Sequence, residues 1–175
     1  NIYRPVPSKE QHKESFDLAP DINIVGTVMR NQKRKLFVEL MRAFRIFLDK
    51  APAPLAKKTF LYLHTSYPEP SGWNIAEAVL EHGLTSKVLT TYICRHCKKF
   101  FTSIFQDAIT ACKYCKNRSA IMPSVGNGLS IPDLIKIYNL FDLYVQYAIC
   151  EGFGMPQVEA ASCGVPIAAV DYSAM

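Results

Sequence analysis

Apolar residues recur along the chain in two rhythms. Short runs of strand length read INIVGTV (22–28), TFLYLHT (59–65), KVLTTYI (87–93), LYVQYAI (143–149) and VPIAAVD (165–171). AIMP (120–123) is a shorter fragment of the same kind. Between these runs lie segments with helical spacing. In KLFVELMRAFRIFLDK (35–50), Leu36, Phe37, Leu40, Met41, Phe44, Phe47 and Leu48 fall on one stripe. WNIAEAVLEHGL (73–84) predicts a second helix, with Gly83 as its C-terminal cap. SIPDLIKIYNLF (130–141) opens on Ser130 as N-cap with Pro132 in the first turn. PQVEAASCG (156–164) is a short helix between Pro156 and Gly164. APAP (51–54) stops the first helix, and residues 1–20 show no strong period.

Strands that alternate with helices at crossover distance predict an α/β fold with a Rossmann-like, doubly wound parallel sheet. Such sheets bind ligands beyond the carboxyl ends of their strands, in the loops that enter helices. With 175 residues the chain has room for one domain and a real core. No apolar run approaches the roughly 20 residues of a membrane span, and NIYRPVPSKEQHKESFD has no apolar leader core. The expected compartment is the cytoplasm.

Charge refines the picture. The net charge is +5, and residues 94–118 hold six bases (Arg95, Lys98, Lys99, Lys113, Lys116, Arg118) against Asp107 alone. The remainder is neutral, so the basic character belongs to one segment. That segment contains CRHC and CKYC, a C-x2-C-x14-C-x2-C pattern. Cys94, Cys97, Cys112 and Cys115 at this spacing predict a closed tetrahedral zinc site, structural because no position stays open. A disulfide reading is the weaker alternative. His96 is expected at the surface, and Cys150 and Cys163 as small buried residues. The ribbon, residues 92–118, is expected to be an insertion separable from the rest. Its aromatics Phe100, Phe101, Phe105 and Tyr114 are expected to form its own small core. A basic ribbon also permits nucleic-acid or partner binding.

EGFGMPQVEAASCGVP (151–166) runs from strand to helix through two glycines. Gly152 and Gly154 let the backbone approach a ligand closely. The free N–H groups of the following helix suit phosphate. Glu159 can accept from the vicinal hydroxyls of a ribose, and Glu151 from those of a second sugar. Ribose, diphosphate and sugar are the groups of a nucleotide sugar. Taken alone, the residues leave open whether Glu159 is a ligand contact or a dipole partner of its helix.

EGFGMPQVEAASCGVPIAA resembles the E-x7-E segment of retaining nucleotide-sugar glycosyltransferases of GT-B type, the glycogen-synthase-like and mannosyltransferase-like group. LIKIYNLFDLYVQYAICEGFG resembles their preceding helix and strand, with Tyr138 and Asp142 in place. MRNQKRKLFVELMRAF resembles the Arg-to-Lys segment that opens the donor domain. The family's Gly-Arg is here Gly26-Thr27, with the arginine at position 30. The resemblance spans the chain apart from the cysteine segment.

That resemblance implies roles by position. Glu159 corresponds to the ribose-binding glutamate. Glu151, Gly152 and the backbone of Phe153, Gly154 and Met155 correspond to donor-sugar and phosphate contacts. Arg30 and Lys35 correspond to the basic pair on the diphosphate, with Lys33 and Arg34 as neighbours able to share the role. It implies residues 1–175 as the donor-binding domain of a larger hexosyltransferase, inactive in isolation. An N-terminal acceptor-binding domain would complete it. The implied donor is a UDP- or GDP-sugar, and no catalytic metal is expected.

Overall fold

The structure, a computed structural model, describes residues 2–172. In chain order, α1 (Lys9–Glu14), β1 (Asn23–Val28), α2 (Phe37–Lys50), α3 (Ala53–Lys58), β2 (Thr59–His64), α4 (Ile75–Glu81) and β3 (Val88–Cys94) come first. Then follow β4 (Phe100–Ile104), β5 (Ile109–Thr110), β6 (Ala120–Ile121), α5 (Ile131–Tyr138), β7 (Leu143–Gln146), α6 (Met155–Ser162) and β8 (Ile167–Ala169). Strands β3, β2, β1, β7 and β8 lie side by side in that order, all parallel.

The helices cover both faces of this sheet. On one face α2 buries Phe37, Leu40, Met41, Phe44 and Leu48, the predicted stripe without Leu36, the partly buried N-cap, and Phe47, which is half-exposed and stacks on Phe44. They pack with Ile75, Ala78 and Val79 of α4 against Leu61 and Leu63 of β2. On the other face Ile137 and Tyr138 of α5 and Ala160 of α6 pack on Ile24, Tyr62 and Tyr144. The caps behave as the sequence predicts. The Ser130 hydroxyl accepts from the N–H of Asp133. Gly83 takes φ +61 behind α4.

Two helices were not predicted. The six-residue α1 is held by one buried cation rather than by a periodic face. Lys13 is almost fully buried, donates to the carbonyl of Ile22, and pairs with Asp142 at 2.8 Å. Asp142 also accepts from the N–H of Ile24, so it pins α1 to the start of β1. APAP does end α2, but Pro52 and Pro54 then open α3, which buries nothing.

The cysteine segment, expected to be a separable insertion, adds strands to the main sheet. β4 pairs antiparallel with β3 from Phe100 to Ile104, and β6 pairs antiparallel with Ile93 and Cys94 of β3. A strand has two edges. β4 occupies one of them along residues 89–93, so β2 and β6 share the other. β3 outruns β2, and β6 sits beside the overhang, above the carboxyl end of β2. The aromatics do not make a core of their own. Phe101 and Phe105 are buried in the α2–α4 cluster, Phe100 meets Phe16 at 6.0 Å, and Tyr114 is half-exposed. A chain of buried hydroxyls stitches the new strand in. The Tyr62 phenol lies 2.8 Å from Thr91 and 2.8 Å from Thr102, and Thr91 lies 2.8 Å from His64 Nδ1.

Gly26 in β1 faces the buried ring of Phe141, where a Cβ would stand 2.3 Å from Cγ. Gly26→Ala is therefore expected to lower stability by about 1–3 kcal/mol through overpacking. Denaturant unfolding checks this, and an unchanged midpoint would show that Phe141 yields at no cost.

Candidate functional site

A cleft of about 490 Å³ opens beyond the carboxyl ends of β1 and β2. Its floor is Val28 and Met29 after β1, and His64, Thr65 and Ser66 at the end of β2. Arg30, Arg34 and Lys35 of the β1–α2 loop form one side. Pro123, Ser124 and Val125 form the wall that follows β6, while Tyr138 and Glu159 enter from α5 and α6. Arg30, Lys35 and Glu159 thus meet in one cleft although 129 residues separate the first from the last.

Glu159 is set by two phenols. Its Oε1 accepts from Tyr3 at 2.8 Å and its Oε2 from Tyr138 at 2.6 Å. Burial, reinforced by the carboxylate, raises the Tyr138 phenol and lifts that of Tyr3 to about 12. Both remain protonated donors at neutral pH. Each carboxylate oxygen can accept more than one bond, so the acid is oriented with capacity left for a ligand. Resemblance offered a cue to Tyr138. Tyr3 had none, because its contact spans 156 residues.

The basic side is built by an isolated bridge between Lys35 and Ala148, flanked by Leu36 N–H to Tyr147 O and Ile149 N–H to Arg34 O. This draws the β1–α2 loop against the segment after β7. Lys35 lies in contact with Glu151, whose side chain is 8% exposed. Gln146 donates to Glu151 Oε1 at 2.6 Å, and Arg34 to Oε2 at 3.1 Å. Burial, then the Arg34 charge, pulls the Lys35 ammonium down to about 8. The adjoining carboxylate opposes that pull and favours the charged form. Arg30 reaches Glu69 at 3.3 Å. Lys33 turns to the Trp73 ring, 4.1 Å from its centroid. His64 is forced down to about 4 by burial and is neutral at pH 7.

Glu151 therefore borders the cleft through its partners and does not line it. Gly152, Phe153, Gly154 and Met155 do not line it either, and the Phe153 and Met155 side chains are exposed. Gly154 takes φ +73 as the N-cap of α6 and provides no side-chain cap. Pro156 carries no N–H, and the Gln157 N–H donates to the Gly154 carbonyl at 3.0 Å, so the first turn offers fewer donors than the anion reading expects.

The four cysteine sulfurs lie within 4.8 Å of one another. Cys94 and Cys115 are 3.6 Å apart, and Cys97 and Cys112 are 3.7 Å apart. Thiolates bound to one zinc at about 2.3 Å stand about 3.8 Å from each other. The cluster therefore fits a tetrahedral metal. The Ser119 hydroxyl, 3.4 Å away, pulls the Cys94 thiol toward thiolate. His96 is exposed, as expected. Cys163 is buried, but Cys150 is exposed, contrary to expectation, because it follows the last paired residue of β7 on an open loop.

Residues 125–175 match the model of the family "Glycosyl transferases group 1". No curated protein matches the chain. Among solved structures, it is similar to the C-terminal domain of a glycosyl transferase group 1 family protein from Francisella tularensis. Identity there is 16% and the TM-score 0.61, over 96% of this chain and 67% of that one. Sucrose-phosphate synthase from Thermosynechococcus elongatus gives 18% identity and TM-score 0.61, over 98% and 33%. The Anabaena protein HepE, solved in complex with UDP-glucose, gives 17% and 0.61, over 99% and 36%. The chain spans about a third of the length of the latter two. No helix among the described residues is long and apolar enough to cross a membrane. The parallel sheet with its cleft at the strand ends is thus the fold of that Francisella C-terminal domain, and the family match covers residues 125–175 of it.

Proposed function

We propose that this domain is the donor-binding half of a retaining glycosyltransferase and seats a nucleoside-diphosphate sugar in the cleft. The observation that carries the reading is the meeting of Arg30, Lys35 and Glu159 at the strand ends. The oriented Glu159 carboxylate accepts from the ribose 2′ and 3′ hydroxyls. Lys35 and Arg30, joined by Arg34, meet the diphosphate together with the N-terminus of α6. Gly152 to Met155 bring the backbone to the phosphate, and Glu151 holds Lys35 in place while offering oxygen to the sugar. As the bond to the anomeric carbon breaks, negative charge grows on the departing diphosphate, where these fixed cations stabilise it. The acceptor attacks from the face the leaving group vacates, assisted by its phosphate. The HepE complex with UDP-glucose supports a UDP-sugar as the first donor to try. The acceptor is held by a domain outside this chain, and the cysteine cluster holds structural zinc.

Calorimetry with UDP, GDP and their 2′-deoxy forms tests the ribose contact. Glu159→Gln keeps the shape but turns one acceptor into a donor. It is expected to weaken the better nucleotide about tenfold, the loss of one hydrogen bond to a charged group. It should also erase the penalty for the 2′-deoxy form. An unchanged affinity with the penalty intact would remove Glu159 from the ribose.

A further inference from the structure

The wall at Pro123, Ser124 and Val125 continues directly from β6. That strand is two residues long and pairs with β3 and β5 alone. Its partners on β3 are Ile93 and Cys94, the latter a member of the cysteine cluster. Just before it, Ser119 accepts from the N–H of Arg95 at 2.9 Å, and its hydroxyl meets Cys94 Sγ at 3.4 Å. Just after it, Met122 is buried in the cluster that holds Cys94 and Cys112. Ser124 and Asn127 then close a tight turn, N–H to carbonyl at 3.1 Å in both directions. Val125 stands near its tip, 84% exposed yet lining the cleft.

Two-residue strands supply too few ladder bonds to hold a register unaided. Here the four thiols come from both sides of the junction. Cys94 ends β3 and Cys97 lies in the turn from β3 to β4, while Cys112 and Cys115 belong to the connection between β5 and β6. A metal bound by all four ties that connection to β3. We infer that the metal of the cysteine cluster is a positioning element of the cleft: it fixes the wall at Pro123–Val125, against which the nucleoside part of a bound nucleotide rests. The inference rests on the donor-cleft reading above. The basic side is built differently, by the β1–α2 loop and its bridge to Ala148, with no bond to the ribbon in that bridge. The metal's influence should therefore fall on the nucleoside end and spare the diphosphate end. A metal that only stabilised the fold would affect both ends alike.

The experiment uses the zinc-loaded chain with UDP, GDP, their nucleosides and inorganic diphosphate as probes. Zinc is removed by a strong chelator in the cold with thiols kept reduced, and is then restored. The expected result is at least a tenfold loss of affinity for the better nucleotide and for its nucleoside. Affinity for inorganic diphosphate should stay within twofold, and zinc should restore the rest. Linkage requires the reciprocal effect. The nucleotide and its nucleoside should slow chelator-driven loss of zinc, and inorganic diphosphate should not. This second measurement starts from folded protein, so it decides even if the stripped chain unfolds. Equal protection by all three probes, or nucleotide affinity indifferent to zinc, overturns the inference. If neither UDP nor GDP binds the zinc-loaded chain, the donor-cleft reading fails first and this inference falls with it.

Discussion

Lys35→Ala is expected to weaken binding of the nucleoside diphosphate by about 2 kcal/mol, roughly thirtyfold, and to leave the nucleoside nearly unaffected. The Lys35 side chain is 8% exposed, so its charge acts on a phosphate with little screening by water. In the complete enzyme the loss in turnover should be larger, on the order of 10²–10³, because charge on the phosphate peaks as the bond breaks. pH gives a second arm. Burial draws the Lys35 ammonium down to about 8. The cationic form is the one that binds phosphate, so affinity should be highest below pH 8 and fall as pH rises through it. Lys35→Arg should flatten that profile, since a guanidinium stays charged. Calorimetry from pH 6.5 to 9.5 on the three proteins reads the outcome. Equal losses for nucleoside and diphosphate would remove Lys35 from the phosphate.

Cys112→Ser is expected to destabilise the whole domain and not the ribbon alone. Cys112 is 1% exposed and packs with Phe101, Phe105, Ala120 and Met122 in the same cluster as α2 and α4. The substitution removes one of four metal ligands and leaves a hydroxyl among apolar neighbours. Loss of a structural metal belongs to the severe class of mutations, on the order of 4 kcal/mol. For a domain of this size that corresponds to about 10 °C in melting temperature. The transition should remain single, because β4 and β6 are strands of the main sheet. Two separate transitions, the lower confined to residues 94–115 by hydrogen exchange, would show a ribbon that melts alone. Purified wild-type protein should carry about one zinc per chain by elemental analysis.

What could be read from sequence followed from local periodicity. The α2 stripe, the Ser130 cap and the parallel strands each leave a mark within about fifteen residues. α1 and α3 left none, being one turn and a half long with no apolar face to repeat. The CxxC spacing revealed the cysteine cluster, but not that its strands would pair with β3. Two-residue strands carry no pattern, and pairing is a long-range choice. The site divides the same way. Arg30, Lys35 and Glu159 stood out by motif. The phenols on Glu159 and the Gln146–Arg34–Lys35 setting of Glu151 depend on contacts across as many as 156 residues. Side-chain type alone cannot announce them.

The hydroxyl chain from the inserted strand to the floor of the cleft has a consequence for the ligand. It runs Thr102, Tyr62, Thr91 and then His64 Nδ1, each step 2.8 Å long and each open to donation either way. Neutral His64 has two tautomers. If Thr102 donates toward Tyr62, the sense passes along the chain, Nδ1 accepts, and Nε2 carries the proton. If every hydroxyl turns the other way, Nδ1 donates and Nε2 is left with a lone pair. Both arrangements keep every bond in the chain. The imidazole at the cleft floor can therefore present a donor to one ligand and an acceptor to another, through a turn of three buried O–H groups together with loss of the Nε2 proton to solvent and uptake of one at Nδ1.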